Sequence, residues 1–169
     1  MAIDFIEIAS LSIAPLKWAG VLSTIVAGAI IGLERQIRGK PIGIRTAALI
    51  CLGTYVFMAM AVSVENGVTD PSRVIGQIIT GIGFLGAGVI LSRDGMVLGV
   101  TSAAAIWVLA AIGVMIGLDK YGPALLIALV VVGILVGVDV LENSFHSLRK
   151  GVHQKITGRR YQKKPPPEK

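Results

Sequence analysis

Five apolar runs, each about as long as a bilayer core is thick, leave this chain few ways to fold. They lie at about residues 16–33, 47–64, 74–91, 100–118 and 123–141. A helix rising ~1.5 Å per residue needs roughly 17–25 residues to cross the hydrocarbon. One buried helix of a soluble domain can be equally apolar. Five of them in 169 residues, with only 15% of residues charged, leave too little polar surface for solubility; about 25% charge is usual. Strands cross lipid only as closed barrels, and barrel strands alternate apolar with polar residues. The run 124-ALLIALVVVGILVGV-138 does not alternate. The expected fold is therefore all-α: a polytopic membrane protein of about five transmembrane helices. A segment at 1–15 precedes the five-span domain at 16–141, and a basic, largely disordered tail follows at 142–169.

Charge between the runs predicts orientation. The first loop, 34-ERQIRGKPIGIRT-46, sets Arg35, Arg38, Lys40 and Arg45 against Glu34. The tail carries Arg149, Lys150, Lys155, Arg159, Arg160, Lys163, Lys164 and Lys169. With five spans, both lie on one side, and basic loops mark the cytoplasmic side. The N-terminus, with Asp4 and Glu7 and no early basic residue, is then outside and does not read as a cleaved signal peptide. Trp18 suits an interfacial anchor at the start of the first span. The net charge of +6 resides in these flanks and does not imply nucleic acid. The single cysteine, Cys51, has no partner for an internal disulfide.

Within 81-GIGFLGAG-88 the spacing G-x-G-x-x-G occurs, which in a soluble domain cradles a pyrophosphate. That fingerprint also needs a strand before it, a helix opening after it and an acid about 20 residues on. No Asp or Glu lies between Asp94 and Asp119, and the glycines sit inside an apolar run, so no nucleotide is expected. In lipid, small residues let helix backbones approach closely. Gly76, Thr80, Gly83 and Ala87 share one helical face, with Gln77, Gly81 and Gly88 beside them. Together with Gly86 they give the third span a broad surface of small residues, and it is expected at the centre of the bundle. Gly28 and Gly32, Gly113 and Gly117, and Gly133 and Gly137 form G-x-x-x-G pairs suited to the same packing. The alternative use of such glycines is to expose backbone carbonyls to a pore.

Asp70-Pro71 reads as a helix N-cap followed by proline at the first helical position. The alternative for Asp70, with Glu65 and Asp119 on the same predicted outer side, is an oxygen ligand for external Mg2+, a cation satisfied by one or two carboxylates. The sequence implies no cofactor and assigns no metal site. Gln77, one turn inside the third span, is expected to hydrogen-bond across helices, and Thr80 and Thr101 either do the same or bond their own helices. At the cytoplasmic end, Glu34 and Arg35 close the first span, Arg45 opens the second, and Asp139 and Glu142 close the fifth. A lone carboxylate inside the boundary is costly, so Asp139 is expected to pair with Arg35 or Arg45, either as a static ion pair or as part of a docking surface. Gly39, Pro41 and Gly43 break the helix and shape the loop around Lys40. His146 and His153 lie in the tail away from any cysteine or acidic pair, and no catalytic set emerges. The chain is read as a non-enzyme.

Three stretches resemble the MgtC/SapB family of bacterial inner-membrane proteins: 32-GLERQIRGKPIGIRT-46, 70-DPSRVIGQIITGIGFLGAG-88 and 99-GVTSAAAIWVLAAIGVMIG-117, followed by Tyr121. The resemblance covers about residues 20–122. The family's polar signature falls on Glu34, Arg35, Gly39, Lys40, Pro41, Gly43, Arg45 and Thr46, then on Asp70, Pro71, Arg73 and Gln77, and on Thr101 and Trp107. Ala47 stands where members often have His, and Leu98 where they usually have a basic residue. Many members carry a soluble C-terminal domain where this chain has the basic tail. The resemblance implies a multi-pass inner-membrane protein of magnesium homeostasis, tied to growth under magnesium limitation and to survival in host cells. It implies a regulator that binds another membrane protein, with homo-oligomerisation expected. Transport of magnesium or another cation is the alternative.

Overall fold

The computed structural model describes residues 13–64, 70–93 and 96–144. The segment before residue 13, Glu65, Asp94 and the tail from residue 145, His146 and His153 included, lie outside the described residues. Five helices follow one another: α1 (Trp18–Ile37), α2 (Ile44–Ser63), α3 (Pro71–Gly88), α4 (Val100–Gly117) and α5 (Tyr121–Ser144). A short antiparallel ribbon, β1 (Leu91–Arg93) and β2 (Met96–Leu98), joins α3 to α4, with Leu91 opposite Leu98 and Ser92 opposite Val97. The third run thus leaves the helix at Gly88 rather than at Leu91.

Residues Trp18–Ile37, Ile44–Ser63, Val100–Gly117 and Tyr121–Val138 are long and apolar enough to cross a membrane. With 18 residues α3 has the length, but Arg73, Gln77 and its glycines dilute its apolar content. Large hydrophobic side chains cover the outside of the helices, among them Leu22, Leu49, Phe57 and Leu126. In water this would be a liability; against lipid it is the required surface. The protein is a polytopic helical membrane protein.

The core lies among α1, α2 and α4. Helix α1 packs along α2, α2 packs along α4, and α3 leans mainly on α4. Ala27, Ile31, Ala47, Cys51, Met58, Leu109, Ile112 and Ile116 fill the centre. Glycine brings the backbones together: a Cβ on Gly28 would lie 2.5 Å from Ala48 Cα, and one on Gly32 2.6 Å from Ile44 Cα. Gly113 abuts Thr54 and Cys51, Gly117 abuts Met58, and Gly20 abuts the Tyr55 ring.

The expectation that α3 is central is corrected. Among its residues only Ile82 and Gly86 are buried. Gly76, Gly81, Gly83 and Gly88 have nothing within 4 Å of where a Cβ would stand, and only Gly86 approaches a neighbour, Ala103 at 3.8 Å. Among the described residues, Gly76, Gly81, Gly83 and Gly88 thus pack against no other helix. The chain divides into two compact units, one up to Val132 and one from Gly133 on. The second contains the last turns of α5, where Ile134, Val140 and Leu141 are exposed and, among the described residues, a Cβ on Gly133 or Gly137 would meet no neighbouring atom within 4 Å.

Candidate functional site

Polar groups gather at the two ends of the α1–α2–α4 core. At the end formed by the 38–43 loop, the buried stripe of α1 runs through Gly20, Thr24, Ala27, Gly28, Ile31 and Gly32 to Glu34 and Arg35. Arg35 is one helical turn beyond Ile31 and two beyond Gly28, so the periodicity that packs α1 also buries its guanidinium. Arg35 is 3% exposed and Glu34 8%. Arg38 Nε lies 2.6 Å from Glu34 Oε1, and Arg35 Nε lies 3.2 Å from Glu34 Oε2. These are ion pairs without hydrogen-bond geometry: both Glu34 oxygens and Arg35 Nε and Nη1 are buried without a hydrogen-bond partner. Glu34 was expected at this end, and its partners are local: Arg35, the next residue of α1, and Arg38, which caps it.

The loop itself is built by the backbone. Gly39 adopts φ +62, a conformation open to glycine without penalty. Its N–H bonds Gln36 C=O at 3.1 Å, and the Lys40 N–H bonds Arg35 C=O at 2.9 Å, the pattern of a Schellman cap. The Gln36 side chain then accepts from Ile44 N–H at 3.2 Å at the start of α2. Ile42 is buried, which tethers the loop, while Lys40 and Arg45 are exposed. Arg45 has no ion pair among the described residues. Asp139 lies in α5, but its side chain is outside the described residues, so its pairing with Arg35 or Arg45 stays an expectation. Thr101 is exposed in the first turn of α4, next to the buried Ser102.

The opposite end holds a cluster that sequence reading did not bring together. The buried Tyr55 hydroxyl accepts from Lys17 N–H at 2.7 Å and donates to Lys17 C=O at 3.1 Å. Lys17 Nζ meets Asp119 Oδ2 at 2.5 Å, and the Tyr121 hydroxyl donates to Asp119 Oδ1 at 2.5 Å. Lys17 first, then Tyr121, holds the Asp119 carboxyl below its ordinary range. A cleft of about 210 Å³ opens between Tyr55, Lys17, Asp119 and Gly117. A tyrosine inside an apolar run was the available signal, since a buried phenol needs a hydrogen-bond partner.

Asp70 is the N-cap of α3. Its carboxylate accepts from Ser72 N–H at 2.8 Å and from Ser72 Oγ at 2.6 Å, and these bonds hold its pKa below the usual carboxylate range. Its oxygens are thus engaged locally. Arg73 and Gln77 are exposed on α3. Thr80 donates back to Gly76 C=O at 2.9 Å. Trp107 is half exposed and lines a cleft between α3 and α4. No group of three or more His, Cys, Asp or Glu side chains suited to a metal occurs among the described residues.

The family model described as "MgtC family" matches residues 21–144, a stretch holding every described helix but the first turn of α1. This chain belongs to the MgtC family. Among its relatives, the "Putative magnesium transporter YhiD" of Escherichia coli (strain K12) is 46% identical over 108 residues, 60% of this chain and 50% of that protein. The "Protein MgtC" of Salmonella typhimurium (strain 14028s / SGSC 2262) is 43% identical over 112 residues, 66% of this chain and 47% of that protein. An "Uncharacterized protein" of Haemophilus influenzae is 42% identical over 106 residues, 57% of this chain and 44% of that protein. The chain therefore spans about half the length of the curated relatives it matches. No solved structure matches it significantly. With its family and its apolar helices established, it is a multi-pass protein of the bacterial inner membrane.

Proposed function

We propose that this protein serves magnesium homeostasis, in adaptation to magnesium limitation or survival in a host, as a non-enzymatic regulator that binds another membrane protein. The magnesium link rests on relatives, one of which carries that metal in its printed name. The regulator reading rests on one structural observation: the core between the two polar ends is closed by aliphatic packing. The buried Thr24 and Thr54 hydroxyls turn to their own helices, bonding Val21 C=O at 2.7 Å and Ile50 C=O at 2.9 Å. The core beyond them is filled by the buried Ala27, Ile31, Cys51 and Leu109. A hydrated divalent ion sheds its waters reluctantly and needs oxygen ligands along its path, so this lining suits a packed scaffold better than a conduit. At the charged end, the exposed Lys40 and Arg45, beside the buried Glu34 and Arg35, are then the surface for docking, facing the cytoplasm by its charge.

The second reading, transport of magnesium or another cation, is favoured by the printed name of the E. coli relative. Flux into liposomes holding the purified protein separates the two. The regulator reading expects no magnesium uptake above empty vesicles. It also expects Arg35→Met to abolish growth support under magnesium limitation while leaving the protein in the membrane. Saturable uptake that Gln77→Leu removes would put transport first.

A further inference from the structure

Helices α3 and α4 hold 18 residues each, so each rises ~27 Å. The hydrocarbon core of a bilayer is ~30 Å thick. The 20 residues of α1 and of α2 match it, while α3 and α4 stop about 3 Å short. The ribbon joins them at one end, and that end is apolar. Leu91 is 62% exposed, Val97 60% and Leu98 46%. Cross-strand partners share a face and successive residues alternate. Leu91 and its partner Leu98 therefore stand on one side of the ribbon, and Val97, opposite Ser92, on the other. Ile90 before the ribbon and Val100 after it are exposed as well, so the patch continues into the lipid-facing surface of the two helices.

We propose that the ribbon is an interfacial anchor: its backbone lies at the level of the lipid headgroups, and side chains from both its faces enter the acyl chains of the adjoining leaflet. Two requirements fix this depth. A two-stranded ribbon has two open edges, whose N–H and C=O groups hydrocarbon cannot satisfy, so it does not sink. Its Leu and Val side chains form a contiguous apolar surface that water disfavours, so it does not stand clear. Only the boundary, with headgroups and water above and acyl chains below, meets both. The backbone leading into the ribbon is already bonded: Val89 N–H donates to Gly86 C=O at 3.3 Å, and Ile90 N–H to Ala87 C=O at 3.1 Å. On the far side Gly99 C=O accepts from Ala103 N–H at 2.9 Å. A protein laid on the ribbon would cover one face and leave either Val97 or the leucine pair in water, whereas lipid reaches both. The bilayer contact is thus extended by an element that does not span. This inference is independent of whether the protein regulates or transports.

The test uses the full chain, with Cys51→Ser as background, in vesicles of phosphatidylethanolamine and phosphatidylglycerol. Single spin-labelled cysteines replace Leu91, Val97 and Leu98. Leu49, exposed on α2, serves as the lipid control, and Lys40, exposed in the 38–43 loop, as the water control. Collision with oxygen, which concentrates in lipid, is compared with collision with a water-soluble nickel chelate. Leu91→Cys, Val97→Cys and Leu98→Cys are expected to favour oxygen, as Leu49→Cys does and Lys40→Cys does not. A second readout avoids the label: Val97→Trp, with Trp18→Phe and Trp107→Phe, should show blue-shifted emission quenched by brominated acyl chains. Preference for the nickel chelate at the three ribbon positions, or emission from Val97→Trp at the wavelength of an indole in water, overturns the proposal. So does shielding of Leu91→Cys and Leu98→Cys from both reagents, which would give that face to a protein, or oxygen contact on one face alone.

Discussion

Asp119 occupies a position that chain geometry reserves for glycine. It follows α4 with φ +60, donates its N–H to Ile116 C=O at 3.0 Å, and is followed by Lys120 N–H bonding Met115 C=O at 2.9 Å. This is the same cap that Gly39 makes after α1. A side chain in that region is strained, and the carboxylate offsets the strain by tying Lys17 and Tyr121 together. Asp119→Ala keeps the strain and loses both bonds, whereas Asp119→Gly loses the bonds but relieves the backbone. The alanine variant should be less stable than the glycine variant by about 1 kcal/mol in detergent thermal melts; equal melts would refute the account. The carboxyl is held below its unfolded pKa, so its contribution is complete above the ordinary carboxylate value of about 3.9. It is lost as pH falls through the lower folded value. As Asp119 and Lys17 are both more than half exposed, that acid loss is at most ~1 kcal/mol, and it should vanish in Asp119→Asn. Buried Arg35 behaves differently. Glu34→Gln leaves its guanidinium uncompensated and should cost about 3–5 kcal/mol, whereas Arg35→Met leaves Glu34 with Arg38 and should cost far less. Unfolding midpoints of the two variants in mixed micelles decide this.

At the level of elements, glycine has two fates that sequence spacing does not distinguish. Gly28 and Gly32 sit against the α2 backbone, while Gly76, Gly83 and Gly88 face outward. Gly28→Ala should force α1 and α2 apart and destabilise the protein by about 1–3 kcal/mol, read by thermal aggregation. Gly83→Leu, which would be severe were α3 central, should leave the single chain's stability unchanged. A large loss at Gly83 would mean that α3 is covered in the membrane by that face as well. The ribbon after α3 depends on Gly99, with φ +89 and Val89 C=O against the site of any Cβ. It places the start of α4 close under the end of α3.

At the scale of the whole molecule, charge asymmetry predicts that the 34–46 loop and the tail face the cytoplasm. With Cys51 replaced, single cysteines at Ser10, Ser92 and Ser147 should label with an impermeant thiol reagent in intact cells only at Ser10. Labelling at Ser147 and not at Ser10 would invert the topology.

Four of the five expected spans, the all-α class and the helix start at Asp70 were legible in the residues, because lipid imposes length and apolarity one segment at a time and a cap needs only its own turn. Arg35 was legible as a charge at a span end but not as a buried one. Its burial depends on which stripe of α1 meets α2, and in lipid apolar side chains do not separate core from surface. Small residues give α3 a broad bare surface, which suits a helix at the centre as well as one at the edge, so composition could not tell the two apart. In the cluster of Lys17, Tyr55, Asp119 and Tyr121, the Lys17–Asp119 pair joins residues 102 positions apart. It exists only because α1, α2 and α4 close on one another, and that closure is decided by the shape match of glycine against backbone, which hydropathy does not record.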